Sequence, residues 1–278
     1  MAALYSALAM TTTFSLKALR EGLTTRFIGR NLEYRPFLGS TQDLARELAR
    51  AGAPEGTVAL AGRQTAGKGR LGRSFISPSG GLYFTVVLRP DEEHLKALAI
   101  ISALAVARGV ERVAGLAARL KWPNDVLLRG RKVCGILIES EFMGEGVNYV
   151  LVGIGVNVNA DLTAYPEIAA IATSLKAELG RGVSRESLAA EILNQLETLY
   201  LTIQAAKPVH EEWRARLDTL GKQVRVTFPA EGAPPPKAGQ QVEEGLAEDV
   251  DNDGSLILRR PDGSRVSIAA GDVTLRGD

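Results

Sequence analysis

The spacing of apolar residues predicts a chain in which strands and helices alternate. Residues 57–61 and 82–88 are short apolar runs, the second rich in aromatic and β-branched side chains, and both are typical of strands. Residues 41–50 instead place leucine and alanine on one helical face, between a serine suited to the N-cap (Ser40) and a glycine suited to the end (Gly52). The first residues of this helix have free backbone N–H groups, which are available to a ligand.

Three further stretches have helical spacing. The pattern predicts a long apolar helix over residues 92–120, in which Gly109 and Gly115 are positions where the helix could be shortened or split. It predicts shorter helices over residues 185–206 and 210–220. We interpret their apolar faces as core.

The pattern changes near residue 220, where several short strands follow one another at regular spacing. The predicted strands cover residues 221–228, 245–251, 255–260 and 265–268, with a proline-rich loop at 229–237 and turns at 251–254 and 261–263. Regularly spaced short strands favour a small β-barrel. We therefore predict a leader over 1–24, disordered or accessory, a larger domain of strands and helices over 25–220 and a small barrel domain over 221–278.

Composition restricts the class of protein. The 278 residues are 45% hydrophobic with a net charge of +1, which fits an ordinary globular enzyme and disfavours general binding to nucleic acid or membrane surfaces. The single cysteine, Cys134, excludes an internal disulfide and fits a reducing compartment, so we expect a cytoplasmic protein. The two histidines, His94 and His210, lie far in sequence from the motifs below, which disfavours histidine catalysis.

Residues 62–73 form a glycine-rich segment with four cationic side chains and no acidic one. Such a loop is typical of an anion site, because glycine lets backbone N–H groups approach a ligand and the cations donate charge-assisted hydrogen bonds. The alternative is a solvated basic turn. Residues 67–72 also fit the dinucleotide-binding pattern G-x-G-x-x-G, but the strand predicted at 82–88 follows where that pattern needs a helix, so we reject it.

Two more segments carry candidate chemistry. Residues 121–125 read Lys-Trp-Pro-Asn-Asp and precede a predicted hairpin, so Pro123 would hold the next two polar residues at a strand edge; a simple hairpin turn is the alternative. Residues 150–159 form an apolar strand interrupted by Gly153 and Gly155. Glycine weakens a strand, so we predict that a ligand approaches the backbone there.

Together and in this order, these segments resemble the biotin protein ligase family. The resemblance rests on Ser40-Thr41-Gln42, residues 64–73, residues 121–125, residues 131–137 with Lys132 and Gly135, and residues 153–157, and it extends over about residues 25–278. It implies an α+β fold: a mixed, mainly antiparallel sheet with helices, plus a small C-terminal Src-homology-like β-barrel. Lys68, Phe75 and Gln42 stand where many relatives have arginine, tryptophan and asparagine, so the differences bear on fine specificity.

The resemblance implies a two-step reaction. Biotin and ATP form biotinyl-5′-adenylate, and a lysine of a carrier domain of a biotin-dependent carboxylase then takes the biotinyl group. The implied catalytic residues are Arg70, Lys121, Lys132 and Asp125. The implied biotin-binding residues are Ser40, Thr41, Gln42, Gln64, Gly67, Lys68, Gly69, Arg70, Lys132 and Gly135. The implied ATP-binding residues are Arg70, Arg73, Phe75, Asn124, Lys132 and Asn157, with Mg²⁺ held mainly by the ATP phosphates. We expect a monomer or homodimer.

Two other functions stay open at this point. A lipoate ligase or octanoyltransferase shares the architecture, but residues 67–73 and 121–125 favour biotin. A biotin-responsive DNA-binding regulator would carry an N-terminal winged helix-turn-helix domain. Only 39 residues precede Ser40, and they show no such pattern, so we expect the short class that lacks this domain.

Overall fold

The computed structural model describes residues 14–144, 146–229 and 240–275. The first half of the chain forms α1 (Leu16–Gly22), β1 (Leu32–Leu38), α2 (Thr41–Arg50), β2 (Val58–Gln64), β3 (Leu82–Leu88), α3 (Ala97–Ala114), β4 (Arg119–Lys121), β5 (Asp125–Leu128) and β6 (Arg131–Met143). It continues with β7 (Gly146–Val156), α4 (Pro166–Ala169), α5 (Leu175–Leu179), α6 (Arg185–Gln204) and α7 (His210–Arg216). The last strands are β8 (Gln223–Pro229), β9 (Gln240–Val250), β10 (Leu256–Arg259), β11 (Arg265–Ile268) and β12 (Asp272–Leu275).

The larger sheet has seven strands in the order β1-β2-β3-β7-β6-β5-β4. Only the β1–β2 pair is parallel among its described pairings, so the predicted mixed, mainly antiparallel sheet is confirmed. Strand β3 lies in the middle, and every one of its residues is buried. Its continuous apolar run is the reason that the strand could be predicted with both ends correct.

Helices cover both faces of this sheet. Alternate residues of β3 point to opposite faces, so Val86 joins the large core under α3 and α6, while Val87 joins a smaller core with Ala45 of α2. Helices α3 and α6 pack closely at Gly109, where an added Cβ would lie 2.7 Å from Ile192. The N-terminus of α2 therefore reaches the sheet on the face opposite the large core.

The long helix predicted over residues 92–120 is wrong in its length. A short 3₁₀ turn covers Glu92–His94, and α3 ends at Ala114 because Gly115 adopts the left-handed conformation with φ 68°. Residues 119–121 belong to β4 instead. The helix predicted over 210–220 is also too long, since α7 ends at Arg216.

The expected leader is packed rather than disordered over residues 14–24. Ser15 caps α1, and Leu19 is fully buried in the main core. The following turn is held by Glu197 of α6, whose carboxylate accepts from the N–H groups of Phe27 (2.9 Å) and Ile28 (2.8 Å). Residues 1–13 lie outside the described residues.

The C-terminal strands form a separate antiparallel sheet in the order β11-β10-β9-β8-β12. The predicted small β domain is thus confirmed as a five-stranded sheet, although β9 begins at Gln240, earlier than expected, and β12 was not predicted. Most of the proline-rich loop lies outside the described residues. The buried Trp122 joins the two sheets through its indole N–H, which donates to the carbonyl of Gly254 at 2.9 Å.

Candidate functional site

A cavity of about 150 Å³ lies between the start of α2, the glycine-rich loop, strands β5 to β7 and the beginning of β12. Most of the residues predicted from the sequence meet there. Those that line it are Ser40, Thr41, Gln42, Gln64, Lys68, Gly69, Arg70, Arg73, Phe75, Asn124, Asp125, Lys132 and Gly135. The site is therefore assembled from segments that are distant in sequence.

Hydroxyl and amide groups line one end of the cavity. Ser40 caps α2 by accepting from the backbone N–H of Gln42. Gln64 Oε1 accepts from both the N–H (2.8 Å) and the hydroxyl (3.1 Å) of Thr41, while its Nε2 donates to Ser77 Oγ (2.8 Å). Thr41 also accepts from the buried hydroxyl of Thr85 at 2.9 Å. These mutual hydrogen bonds fix the direction of each polar group at this end.

The side chain of Gln42 occupies the same end and is 3% exposed. Its Nε2 donates to Glu139 Oε2 (3.0 Å) and lies 3.5 Å from the carbonyl oxygen of Leu137. The amide lies so close to Gly153 that a Cβ there would be 3.1 Å from Oε1. Gly153 therefore makes room for this amide.

The glycine-rich loop is a compact turn closed by two nested backbone hydrogen bonds. Gly69 N–H donates to Arg73 O (2.7 Å), and Phe75 N–H donates to Gly67 O (2.8 Å). The turn contains a short 3₁₀ segment, Arg70–Gly72, with Leu71 at φ 54°. Strand β3 is the next regular element, so the rejection of the dinucleotide-binding pattern is confirmed.

Two guanidinium groups from this loop reach the C-terminal sheet. Arg70 Nη1 donates to Asn124 Oδ1 (3.3 Å) and to the carbonyl of Gly271 (3.1 Å). Burial lowers the pKa of Arg70 from its ordinary value, while the nearby Asp272 opposes that shift. Arg73 forms an ion pair with Asp272, with 2.6 Å between Nη2 and Oδ2.

Lys132 contributes a third cation at the same end. Its Nζ lies 2.6 Å from Asp125 Oδ1 and 5.8 Å from the centre of the Phe75 ring. A Cβ on Gly135 would lie 3.1 Å from this Nζ, so a larger residue there would push the ammonium away. The cavity thus has a cationic end, in contrast to the amide-rich end near Gln42.

Phe75 supplies an aromatic wall next to these cations. Its ring covers Gly155, where a Cβ would lie 2.6 Å from the ring, and it meets Tyr83 edge-on at 6.4 Å between ring centres. Gly153 and Gly155 both line the cavity, with the side chains of Gln42 and Phe75 against them, so the approach of a ligand to the backbone there stays a prediction.

Three predicted residues do not line the cavity. Gly67 lies behind the loop, where a Cβ would be 2.4 Å from Phe75 O, so its role is to let the turn close. Lys121 lies on β4 beside Asp125 in register and is half-buried. Asn157 is buried with its Oδ1 lacking a hydrogen-bond partner among the described groups, and its N–H donates to Val133 O at 2.8 Å.

The sequence analysis missed three acidic residues around the site. Asp272 lines the cavity, Glu139 holds Gln42, and Asp43 forms an ion pair with Lys68. Asp43 lies next to a residue that the motif includes, so its position on α2 was a usable signal. Nothing in the local sequence around Asp272 indicates that it meets a loop some 200 positions away, as the 201-position contact between Arg70 and Gly271 illustrates.

No helix in the described residues is both long enough and apolar enough to cross a membrane. Within those same residues, no group of three or more histidine, cysteine, aspartate or glutamate side chains lies close enough to hold a metal ion.

Two family descriptions match the chain. Residues 34–157 match the Biotin/lipoate A/B protein ligase family, and residues 236–276 match the Biotin protein ligase C terminal domain. The first match contains every segment that forms the cavity except β12, and the second contains that strand.

Individual proteins show the same similarity. The chain is 35% identical over 263 residues to the bifunctional ligase/repressor BirA of Bacillus subtilis. The aligned region covers 92% of this chain and 78% of that protein. It is 39% identical over 223 residues to the biotin--[acetyl-CoA-carboxylase] ligase of Paracoccus denitrificans. In this case the aligned region covers 76% of this chain and 87% of that protein. The solved biotin protein ligase from Aquifex aeolicus in complex with biotin and ATP matches with a TM-score of 0.73 and 28% identity, over 89% of this chain and 99% of the other.

Proposed function

We infer that this chain, which belongs to the Biotin/lipoate A/B protein ligase family, joins biotin to a lysine side chain in an ATP-dependent reaction. The observation that supports this proposal best is the polarity of the cavity. Hydroxyl and amide groups line one end, Arg70, Arg73 and Lys132 line the other, and the fourth cation, Lys68, is paired with Asp43. A ligand with a neutral, hydrogen-bonding head and a carboxylate tail fits such a cavity, with the tail beside the cations.

The order of the contacts along β6 fits that orientation. Leu137 lies beside the amide of Gln42, and Lys132 lies at the cationic end. The Lys132 ammonium reaches back to Gly135, which lies two positions from Leu137 on the same strand, a separation of about 7 Å at the usual rise per residue. Ile136 and Ile154 line the cavity as well and offer apolar surface for a hydrocarbon chain.

The first step brings two anions together. A biotin carboxylate oxygen attacks the α-phosphorus of ATP, the bond to the β-phosphate bridging oxygen breaks, and pyrophosphate leaves. Two unit negative charges 4 Å apart repel by about 4 kcal/mol at an effective dielectric of 20. We propose that Lys132 and Arg70 offset this repulsion, because both present fixed positive charge to the cavity.

The remaining nucleotide contacts follow from the same arrangement. Arg73 is 68% exposed in its side chain and reaches outwards from the loop, which suits contacts with the phosphates. Phe75 offers a ring face for a planar base, and Asn124 lies within reach of Arg70. Asn157 is buried and does not line the cavity, and its backbone N–H donates to Val133 of β6, so we propose that it acts on the nucleotide through β6 rather than by direct contact.

In the second step an acceptor lysine attacks the carbonyl carbon of the mixed anhydride, an amide forms and AMP leaves. The attacking amine must lose a proton. Asp125 is the carboxylate that lines the cavity beside Lys132, so we propose that it positions the amine or accepts its proton. Lys121, on the neighbouring strand, would act only indirectly.

We propose that Mg²⁺ enters with the ATP phosphates. The two carboxylates that line the cavity, Asp125 and Asp272, each already contact a cation of the protein. These cations offset the negative charge of both carboxylates, so we propose that the ATP phosphates supply most of the oxygen ligands of the magnesium ion.

We further propose that the acceptor is the carrier domain of a biotin-dependent carboxylase and that the reaction takes place in the cytoplasm. The Paracoccus denitrificans relative, named as the ligase of acetyl-CoA carboxylase, supports the first part. The buried, unpaired thiol of Cys134 supports the second, because burial raises its pKa and it needs no oxidising environment.

The decisive experiment measures pyrophosphate release from ATP with biotin, lipoate or octanoate as the acid. We expect release with biotin alone, followed by transfer to a carboxylase carrier domain whose acceptor lysine is intact. A carrier domain with that lysine changed to arginine is the control. Release with lipoate but not with biotin would replace the proposal with a lipoate ligase.

A further inference from the structure

The amide of Gln42 has a fixed orientation. Its Nε2 carries two N–H donors, and two acceptors lie beside it: Glu139 Oε2 at 3.0 Å and the carbonyl oxygen of Leu137 at 3.5 Å. A carboxylate can only accept a hydrogen bond, so the nitrogen and not the oxygen of the amide must face Glu139. Glu139 therefore orients the amide so that Nε2 faces the carboxylate and Oε1 points away from it.

The other atom of the amide is left as a buried acceptor. Gln42 is 3% exposed and lines the cavity, and its Oε1 has no hydrogen-bond donor among the described groups. Gly153 lies against the amide, where an added Cβ would be 3.1 Å from both Cδ and Oε1 of Gln42, so the backbone of β7 limits the movement of the amide on that side. A buried acceptor without a partner is costly, and a ligand that brings an N–H group removes the cost.

Glu139 is itself held in place from the other side. Arg46 Nη2 donates to the same Oε2 atom at 2.8 Å, and Arg46 Nη1 donates to Asp43 at 2.9 Å. Asp43 in turn pairs with Lys68 of the glycine-rich loop. The carboxylate thus has a firm position between α2 and β6, and so does the amide that it orients.

We infer that Glu139 is a positioning residue that sets ligand specificity: it holds Gln42 so that Oε1 accepts a hydrogen bond from an N–H of the cyclic urea. The inference rests on the proposed function, because it names biotin as the source of that N–H. Glu139 acts through Gln42 and not on the ligand. Its removal should therefore weaken recognition of the urea and leave the binding of ATP unchanged.

The test compares two carboxylates that make the same kind of contact. Glu139→Gln removes the charge that orients Gln42. Glu141→Gln is the matched control, because Glu141 lies two residues further along the same strand and pairs with Arg50 of the same helix at 2.9 Å, away from Gln42. We expect Glu139→Gln to raise the dissociation constant for biotin about tenfold to a hundredfold, the range for a hydrogen bond to a charged group. Glu141→Gln should leave it unchanged.

A double-mutant cycle shows whether the effect passes through Gln42. In a Gln42→Ala background, Glu139→Gln should cause no further loss of biotin affinity. Binding of a thiophane pentanoic acid that lacks the urea, measured by competition, should respond to neither change. Glu139→Asp keeps the charge but withdraws it by one methylene group, so it should also lose biotin affinity. It provides the test if Glu139→Gln fails to fold.

The outcomes separate this inference from the proposed function. Normal pyrophosphate release by the unaltered chain, with equal biotin affinity in folded Glu139→Gln and Glu141→Gln variants, would overturn the positioning role alone. An additive loss in the double variant would also overturn it. Absence of biotin-dependent pyrophosphate release in the unaltered chain would instead remove the proposed function.

Discussion

Lys132 Nζ lies 2.6 Å from Asp125 Oδ1, and the two residues come from the neighbouring strands β6 and β5. The ammonium is one-third exposed and faces the cavity, so it is partly neutralised by a carboxylate but open to a ligand. An arriving carboxylate or phosphate therefore competes with Asp125 for the same cation. This arrangement underlies the first prediction.

Lys132→Ala should reduce the rate of adenylate formation by a factor on the order of 10²–10³, the usual cost of losing a preorganised group that stabilises transition-state charge. Transfer from supplied biotinyl-adenylate to a carrier domain should suffer much less, because the two anions are already joined. Lys176→Ala is the control, since Lys176 is exposed and does not line the cavity. Pyrophosphate release and single-turnover transfer measure the two steps, and equal effects of the two variants would contradict the assignment.

Arg70→Gly should release the adenylate faster and permit biotinylation of lysines on bystander proteins. The guanidinium is half-buried, and each charge-assisted hydrogen bond that it gives to the intermediate is worth about 1.5–3 kcal/mol. Arg63→Ala serves as the control, because Arg63 is exposed and does not line the main cavity. The lifetime of the bound adenylate and the labelling of an unrelated protein are the measurements; no change in either would speak against this role.

Biotin should protect residues 67–72 from hydrogen exchange. A glycine-rich loop loses much conformational entropy when it becomes ordered, so we expect it to be mobile without ligand. Contacts with biotin should order it. The peptide that contains β3 is the internal control, because all its residues are buried whether or not ligand is bound. Mass spectrometry of exchanged peptides gives the comparison. Identical exchange of the loop at saturating biotin would exclude ligand-induced ordering.

Asp272→Asn should strengthen ATP binding about two- to fivefold. The carboxylate pairs with Arg73, so the guanidinium must leave it before it contacts a phosphate. Arg73 is largely exposed, and such a pair is worth about 0–1 kcal/mol, which limits the gain. Asp253→Asn, which like Asp272→Asn removes a charge from the C-terminal domain, breaks a pair with Lys96 away from the cavity and should change nothing. Calorimetry would decide, and weaker ATP binding in Asp272→Asn would mean that the carboxylate positions Arg73 instead.

Glu178 should make stability depend on pH in the acid range. Its side chain is 2% exposed, and the hydrogen bond from Thr173, aided by Arg131, lowers the pKa of the carboxyl group below its ordinary value. A carboxyl group whose pKa is lower in the folded than in the unfolded chain stabilises the fold at pH values above its unfolded pKa, here near 4.5. That stabilisation is lost as the pH falls through the folded pKa. Glu178→Gln should therefore lose about 0.5–1.5 kcal/mol of unfolding free energy at pH 7. The difference from the unaltered chain should shrink between pH 5 and 3 in urea titrations; a constant difference would refute the linkage.

Local sequence signals predicted the elements that depend on local physics. Ser40 was identified as the N-cap of α2 because serine just before an apolar helical face commonly caps the helix, and the structure has that cap. Strand β3 was predicted from its run of aromatic and β-branched residues. The helix over 92–120 was predicted too long, since leucines continued at helical spacing while a single backbone torsion at Gly115 ended the helix.

The site was predicted less completely, since its contacts cross the chain. Motifs identified the residues of the loop and of β5 and β6, but the partners of those residues come from elsewhere. Glu139 lies in an ordinary strand pattern, and only the packing of α2 on β6 and β7 makes it a partner of Gln42. Asp272 lies in a strand that was itself missed. Such pairs depend on tertiary packing, which periodicity does not encode.

The contact between Arg70 and Gly271 spans 201 positions, and this separation affects when the cavity can be complete. During synthesis the large sheet and the glycine-rich loop emerge long before β12, so an unfinished chain can fold around the amide end while its cationic end lacks one wall. A ribosome-bound intermediate would therefore hold Arg70 and Arg73 without their C-terminal partners. The last described strand to be translated is the one that completes the enclosure of the reacting groups.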